Sequence, residues 1–353
     1  MRELTDHILR VDWEQVRLGR ALSGLVSMLA VVAFVGAVDD VLFAALLGTL
    51  FVTAAGGGGT MPQRLPGMLR FTVSGALLGG LAYASADSAV AVALVLGVAT
   101  YAGTLAAAAG PTAARAGLYL TLWPLFALLF GSTDAEPWTV GVAFLAGGVV
   151  AIAITALRLR FAAHGESAAG DEPDVADLVA GERLSRADQL AAAMTSPIGR
   201  FALLRAVAVA LGVVLGFWWF SSFPFWVAIT VIVVVKPSAN QSASAAVERT
   251  LGTAVGVGLA VIIAQVLPES DVAVAVAFLA SGFLMIGFSG ANYTLFAAFL
   301  TAMIVFGQRL AQADAFEAGW ERLLATAVGA LVAVAVIGIA MRLRHVQPTS
   351  AET

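Results

Sequence analysis

Residues 247–256 read VERTLGTAVG and residues 320–329 read WERLLATAVG, so the two stretches are identical at seven of ten positions. Matches at Ala, Val and Gly are common in an apolar chain, but charged residues make up only 12% of this one. A Glu-Arg pair at the same place in both stretches is therefore a repeat and not an effect of composition. The repeat predicts two related helices, each with a cation near its start.

The composition indicates that these helices enter a membrane. Hydrophobic residues form 60% of the 353-residue chain, and the mean hydropathy of +0.93 is typical of a membrane protein. A membrane-spanning helix needs about 20 mostly apolar residues. The predicted fold class is an all-α integral membrane protein with twelve transmembrane helices, at 17–38, 40–55, 67–85, 88–109, 112–130, 138–159, 201–221, 225–236, 245–267, 271–288, 292–307 and 319–342.

The distribution of positive charge predicts the orientation. If the N-terminus is cytoplasmic, 17 of the 19 Lys and Arg residues fall on the cytoplasmic side, in agreement with the positive-inside rule. Only Arg309 and Arg322 fall on the outer side. We therefore expect a multi-pass protein of the cytoplasmic (plasma or inner) membrane, with both termini in the cytoplasm.

The hydropathy pattern divides the chain into five regions. They are an interfacial helix, a first six-helix half, an acidic cytoplasmic linker, a second six-helix half and a cytoplasmic tail, at 1–16, 17–161, 162–199, 200–344 and 345–353. An offset of 185 residues places Arg64 on Arg249 and Gly67 on Gly252. Because each half contains an even number of segments, the halves are predicted to be parallel copies.

The two opening stretches add a second level of symmetry. Glu248-Arg249 begins the ninth segment on the cytoplasmic side, whereas Glu321-Arg322 begins the twelfth on the outer side. Matching helices that run in opposite directions predict a 3+3 inverted repeat in each half, which is typical of transporters with short helices around the binding site. Segments eight and eleven are indeed short, with 12 and 16 residues. In the first half, an offset of 184 residues places Trp138 at the position of Arg322.

The charged helix starts supply the candidate substrate-binding residues. Positions i, i+4 and i+7 share one face of a helix, so each repeat offers a cation, a hydroxyl and a glycine in one stripe. A guanidinium near helix N-terminal amides favours a carboxylate, because Arg binds planar oxyanions through two parallel hydrogen bonds. Two further threonines and the only lysine complete the set, which is Arg249, Thr253, Gly256, Arg322, Thr326, Gly329, Thr230, Thr301 and Lys236. Glu248 and Glu321 are the candidates for proton coupling.

Structural roles compete with these assignments. Arg249 is equally well explained as a cytoplasmic anchor paired with Glu248, Lys236 as a snorkelling side chain, and the glycines as helix-packing positions. Arg322 is harder to explain in this way, because it lies on the side that otherwise avoids arginine. Six aromatic residues are typical of an interfacial belt, with a gate or a substrate contact as the alternative: Trp218, Trp219, Phe220, Phe223, Phe225 and Trp226.

Other classes of function lack support in the sequence. GGGGT at 56–60 lacks the lysine of a phosphate-binding loop, and the chain contains no cysteine. The three histidines, His7, His164 and His345, lie in separate polar segments and do not indicate a metal site. We therefore expect no enzymatic activity, no cofactor, no metal and no nucleic-acid partner.

Three longer stretches carry a family resemblance. FPFWVAITVIVVVKPSANQSASAAVERTLGTAVGVGLA (223–260), ANYTLFAAFLTAMIVFG (291–307) and WERLLATAVGA (320–330) resemble the fusaric acid resistance / aromatic acid exporter family. That family is distantly similar to the plant aluminium-activated malate transporters, whose anion pathway uses arginines. The resemblance implies export of aromatic or other organic carboxylates, and it carries over to Arg249, Thr253, Gly256, Lys236 and Arg322. The large cytoplasmic domain of many family members is replaced by the short linker at 162–199.

The leading functional hypothesis is a membrane transporter that exports organic anions, aromatic or other carboxylates, past arginines at helix starts. A passive anion channel of the malate-channel type is the alternative in mechanism. A membrane scaffold or a lipid-modifying protein is the alternative of another class. The expected partners are a small organic anion and the lipid bilayer, with a second copy of the chain or accessory export proteins as further candidates.

Overall fold

The computed structural model of the chain describes residues 10–16, 18–35, 42–55, 60–130, 136–162, 192, 194–220, 224–268, 270–310 and 315–345. Its α-helices are α1 Leu18–Val35, α2 Leu42–Ala55, α3 Met61–Ala84, α4 Ala89–Leu105, α5 Pro111–Phe130, α6 Pro137–Ala162, α7 Pro197–Trp219, α8 Trp226–Val234, α9 Ala239–Val266, α10 Asp271–Phe288, α11 Tyr293–Leu310 and α12 Ala315–His345. Each of the twelve predicted segments coincides with one helix, and the boundaries differ by six residues or fewer. The described residues contain no β-strand.

Eight of the helices are long and apolar enough to cross a membrane, namely α3, α4, α6, α7, α9, α10, α11 and α12. Shorter apolar stretches lie in α1, α2 and α5. The chain is therefore a multi-pass helical membrane protein. Helix α11 is longer than predicted, because it continues past Gly307 to Leu310, and its 18 residues extend over about 27 Å.

Helix α8 is short, as the sequence predicts. Its nine residues extend over about 14 Å, and the chain is extended at Val235 before Pro237, which cannot continue a helix. Arg205 of α7 donates hydrogen bonds to the Ile232 carbonyl oxygen and, at 3.3 Å, to Oγ1 of Thr104 in α4. A cation at the C-terminal end of a helix is favourable, so Arg205 stabilises the end of α8 and ties it to the first half.

The helix pairs that pack together recur six helices along the chain. In the first half α6 packs on α2 and α3, and α5 packs on α3 and α4. In the second half α12 packs on α8 and α9, and α11 packs on α9 and α10. Between the halves α4 packs on α7, and α10 packs on α1.

The residue register between the halves differs from the one that the sequence suggests. Gly67 has open space where a Cβ atom would stand, whereas a Cβ on Gly252 would lie 2.6 Å from the Thr294 carbonyl oxygen. The pairing of Gly67 with Gly252 is therefore wrong. Trp138 is also not the counterpart of Arg322, because Trp138 is 66% exposed and Arg322 is fully buried.

The buried faces of the helices show the structural register. The buried residues of α3 match those of α9 at an offset of 181, which pairs Met68 with Arg249. The buried residues of α6 match those of α12 at an offset of 182, which pairs Val140 with Arg322. Helices pack through their buried faces, whereas arginines recur at membrane surfaces because of their charge. An alignment of the two halves based on matching arginines therefore gave the wrong register.

The described part of the N-terminal region, residues 10–16, lies against the second half. Its only helical turn is a 3₁₀ turn at Trp13–Gln15. The Asp12 N–H donates to the Ala291 carbonyl oxygen, and Nδ2 of Asn292 donates to the Arg10 carbonyl oxygen, both at 3.0 Å. Residues 1–9 of the predicted interfacial helix, 163–191 of the predicted linker and 346–353 of the tail lie outside the described residues.

Candidate functional site

Two arginines are the only charged side chains in the buried interior of the described residues. Arg249 of α9 is 1% exposed and Arg322 of α12 is 0% exposed. Burying a charge is costly unless it is paired or hydrogen-bonded, and ionisable residues within membrane helices commonly mark substrate or ion pathways. Arg249 and Arg322 stand ten and seven residues after the first residues of α9 and α12. The predicted position of these cations at helix starts is therefore wrong, because both helices begin earlier than the sequence indicates, and both cations lie inside the helix bundle.

Arg322 lies between α8 and α11. Its guanidinium carbon stands 3.9 Å from the centre of the Trp226 ring, a cation–π contact. Its Nε donates a 3.2 Å hydrogen bond to Oγ1 of Thr301. Nη1 and Nη2 are buried and have no acceptor among the described residues. The protein therefore holds Nε of the guanidinium, and its two terminal nitrogens could donate hydrogen bonds to an anion.

Arg249 lies deeper along α9 than the sequence alone indicates. Nε and Nη1 are buried without an acceptor in the described part of the chain. Tyr293, at the start of α11, has Arg249, Glu248 and Arg322 as electrostatic neighbours. Arg249 and Arg322 also neighbour each other. The structure thus brings together the two cations that are 73 positions apart in the sequence.

The predicted glycines lie at close contacts between helices. A Cβ on Gly256 would stand 2.7 Å from Cβ of Thr301, and a Cβ on Gly329 would stand 2.6 Å from Cβ of Thr230. The two contacts are equivalent: Gly256 of α9 packs on α11, and Gly329 of α12 packs on α8. At these positions a side chain would push the helices apart.

The remaining predicted hydroxyls are buried. Oγ1 of Thr230 donates to the Trp226 carbonyl oxygen at 3.2 Å, within its own helix. Thr253 is fully buried, and its Oγ1 has no partner among the described residues. Thr326 is also buried. Thr301 accepts a hydrogen bond from Nε of Arg322, so this hydroxyl helps to hold the cation.

A cavity of about 190 Å³ lies between the two halves, and Arg249 contributes to its wall. The first half provides α2 and α5, through Leu50, Phe51, Ala54, Tyr119, Leu122 and Phe126. The second half provides Arg249 together with Ile229, Val233, Met285, Ile286, Phe296 and Leu300. Gln15, Ser289 and Gly290 line the end of the cavity near the N-terminal segment. Among the described residues that line it, Arg249 is the one that carries a charge.

A second, more polar pocket of about 280 Å³ lies beside the turn between α8 and α9. It is lined by Val233, Lys236, Gln241, Ser244, Ala245, Glu248 and Tyr293, and it shares Val233 with the apolar cavity. Burial lowers the pKa of Lys236, the nearby Arg205 lowers it further, and Glu248 acts in the opposite direction. Oγ of Ser244 donates to Oε1 of Glu248 at 2.7 Å. Lys236 and Glu248 therefore lie at a polar pocket next to the arginine site.

Two aromatic residues near the candidate site were misassigned from the sequence, and one wall of the cavity was missed. Trp218 and Trp219 are exposed, as expected of an interfacial belt, but Phe225 and Trp226 are buried. The belt prediction is therefore wrong for these two residues, because the α8 start turns into the bundle. The first-half wall of the cavity also had no sequence signal, since its residues are ordinary apolar positions of α2 and α5.

Two further charged residues, Arg309 and Glu321, were predicted to lie on the outer side together with Arg322. Arg309 donates from Nη1 to the Ala264 carbonyl oxygen at 2.7 Å, near the C-terminal end of α9, where a cation is favourable. Glu321 precedes Arg322 on α12 and is half-buried. Neither Glu321 nor Arg322 is among the residues that line the apolar cavity. Within the described residues no group of His, Cys, Asp and Glu could hold a metal ion.

A comparison with known protein families gives one match, which covers most of the second half of the chain. The family model described as "Fusaric acid resistance protein-like" matches residues 207–336, which run from α7 to α12 and include both buried arginines. None of the curated proteins matches the chain, and none of the solved structures does. The chain is thus a multi-pass helical membrane protein that resembles the fusaric acid resistance protein-like family over residues 207–336.

Proposed function

We propose that the protein exports organic anions, with aromatic or other carboxylates as the substrate class, along a pathway that passes Arg249 and Arg322. The observation that carries the proposal is a pair of buried guanidinium groups beside a largely apolar cavity between helices. The match of residues 207–336 to the fusaric acid resistance protein-like family model supports a transport role rather than catalysis.

The chemistry of the cavity favours an amphipathic anion. Its wall combines aliphatic and aromatic side chains with a single cation, Arg249. A planar guanidinium binds a carboxylate through two parallel hydrogen bonds, and an apolar wall favours a ring or an alkyl chain by the hydrophobic effect. A small, fully polar anion would fill only the charged end of such a cavity.

The proposed orientation gives the pathway a direction. With both termini in the cytoplasm, Gln15, Ser289 and Gly290 lie at the cytoplasmic end of the cavity, as does the polar pocket that contains Lys236. Arg322, in contact with Trp226 near the outer start of α8, lies farther along. The anion would leave the cytoplasm through the cavity, meet Arg249 first and then pass to Arg322.

The architecture that we propose is twelve transmembrane helices in two parallel six-helix halves, each a 3+3 inverted repeat, in the cytoplasmic membrane. The recurrence of helix pairs between the halves supports the first level of symmetry. The equivalent contacts of Gly256 with Thr301 and of Gly329 with Thr230 support the second level, the inverted repeat. Short helix α8 next to the site is also typical of inverted-repeat transporters.

A transport assay with purified protein in proteoliposomes tests the proposal, with labelled benzoate and acetate as probes. Arg249→Gln and Arg322→Gln should each lower benzoate flux about tenfold or more, because a hydrogen bond to a charged group contributes about 1.5–3 kcal/mol. Arg200→Gln is the matched control, since Arg200 is exposed at the start of α7. Wild-type flux in the site variants, with normal size-exclusion profiles, would contradict the proposed pathway.

The same assay separates a coupled exporter from a passive channel. A coupled exporter should accumulate benzoate against its gradient when a pH gradient is applied, whereas a channel should only equilibrate it. Glu248 and Glu321 are the residues that we propose for proton coupling, so Glu248→Gln or Glu321→Gln should abolish accumulation and keep downhill flux. Purely downhill flux in the wild type would assign the protein to the channel class.

A further inference from the structure

We infer that each chain contains one anion site, held by the second half, and that the first half supplies the apolar wall that selects the body of the substrate. The inference rests on the proposed function and deepens it. It divides the two similar halves into one that binds the charge and one that recognises the uncharged part.

The positions that correspond to the two arginines are apolar in the first half. In the register of buried faces, Met68 of α3 stands in the place of Arg249 and Val140 of α6 stands in the place of Arg322. Both Met68 and Val140 are buried. An anion between α3 and α6 would therefore meet no buried cation, and the described first half has none elsewhere in its interior.

The packing features of the site are nevertheless kept in the first half. Thr72 and Gly75 repeat the Thr-x-x-Gly spacing of Thr253 and Gly256 at the same offset. A Cβ on Gly147 would strike the backbone of α2, as one on its counterpart Gly329 would strike that of α8. The first half thus has the same helix contacts without the charges.

Aromatic side chains fill the interior of the first half. The rings of Trp123 and Phe144 stack with centroids 4.0 Å apart, and Phe71 lies beside Phe144 at 6.4 Å. Nε1 of Trp123 donates to the Gly75 carbonyl oxygen at 2.6 Å. These rings fill the interior of the first half, and the indole N–H of Trp123 already has an acceptor. They leave no room for a carboxylate, so we assign this part of the first half to packing alone.

The first half reaches the substrate instead through the cavity wall. Phe51, Tyr119 and Phe126 line the cavity opposite the second half, and Phe51 contacts both other rings, with centroids 5.8 and 5.5 Å away. None of the first-half residues that line the cavity is charged. Because this wall and Arg249 line the same cavity, the volume of the cavity limits the size of the group attached to the carboxylate.

The number of sites is tested by equilibrium binding of labelled benzoate to the full chain in lipid nanodiscs. We expect one benzoate per wild-type chain. Arg249→Met, which installs the first-half residue, should abolish binding, whereas Arg64→Ala should leave both affinity and stoichiometry unchanged. Two benzoates per wild-type chain, or a site that survives Arg249→Met and is lost in Arg64→Ala, would overturn the inference.

The role of the wall is tested with a matched pair of substitutions in the first half. Phe126 and Phe71 are both buried, but only Phe126 lines the cavity. Phe126→Leu should enlarge the cavity and shift the affinity ratio of 2-naphthoate to benzoate about tenfold toward naphthoate. Phe71→Leu should leave this ratio unchanged, although it can lower stability. Equal ratios in the two variants would overturn the inference.

The outcomes distinguish the two proposals. A wild-type protein that binds neither benzoate nor 2-naphthoate would contradict the proposed function and, with it, this inference. A protein that binds and transports benzoate, yet shows two sites per chain or an unchanged ratio in Phe126→Leu, would contradict only the division of labour between the halves.

Discussion

At the scale of single residues, Arg322 shows how the chain keeps a cation inside the bundle. Placing an arginine at the centre of a membrane helix costs about 2.5–3.5 kcal/mol on insertion scales. The Trp226 ring and the Thr301 hydroxyl offset part of this cost. Neither contact uses the hydrogen bonds of the two terminal nitrogens, which have no acceptor among the described residues.

Thr301→Val is the residue-scale prediction. Valine has nearly the shape of threonine but cannot accept the hydrogen bond from Arg322, so a buried donor loses its partner. We expect the free energy of unfolding to fall by about 1–3 kcal/mol and benzoate flux to fall with it, measured in nanodiscs and proteoliposomes. Thr250→Val is the control, because the Thr250 hydroxyl bonds only within its own helix, to Ala246. Equal losses in the two variants would refute the role given to Thr301.

At the scale of helices, small residues decide which helices come close. Helix α9 contains three glycines, and two of them, Gly256 and Gly258, have different surroundings. Gly256 packs against Ala298 and Thr301 of α11, whereas Gly258 has no atom within 4 Å of a Cβ position. The sequence places Gly256 on the same face as Arg249 and Thr253, but it does not show which residues this glycine contacts.

Gly256→Ala is therefore expected to destabilise the protein, and Gly258→Ala is not. The added methyl at position 256 must displace α11, and overpacking of this kind costs about 1–3 kcal/mol. The methyl at position 258 meets open space, and alanine is the better helix former. Thermal unfolding of both variants in nanodiscs measures the difference. A loss of stability in Gly258→Ala as large as that in Gly256→Ala would show that the α9–α11 contact is not the cause.

At the scale of the whole molecule, the site depends on both halves. The cavity wall comes from α2 and α5 on one side and from α8 to α11 on the other. Arg205 crosses the same boundary, from α7 to Thr104 of α4. The N-terminal segment 10–16 also precedes the first half and contacts the α10–α11 turn. A chain of two similar halves thus forms one asymmetric cavity.

The orientation of the whole molecule can be tested because the chain contains no cysteine. Ser270, which precedes α10, and Ser238, which precedes α9, are both exposed. With the proposed topology, a membrane-impermeant maleimide added to intact cells should label Ser270→Cys and leave Ser238→Cys unlabelled. Both variants should react after the membrane is permeabilised. Labelling of Ser238→Cys alone in intact cells would reverse the orientation and the direction of the proposed pathway.

The sequence by itself determined the helical segments, the membrane character of the chain and its family resemblance. Hydropathy, prolines and rare charges act locally along a chain, so the position of each helix and the two unusual arginines could be found without a structure. The repeated Glu-Arg stretches also indicated that these arginines belong together.

Only the tertiary structure decided which residues surround the arginines and how the halves correspond. Trp226 reaches Arg322 because α8 turns into the bundle, and Thr301 accepts a hydrogen bond because α11 packs beside α12. The replacement of Arg249 by Met68 appears only when buried faces are compared. Contacts of this kind depend on how side-chain volumes fit across helices, and that fit is not a local property of the sequence.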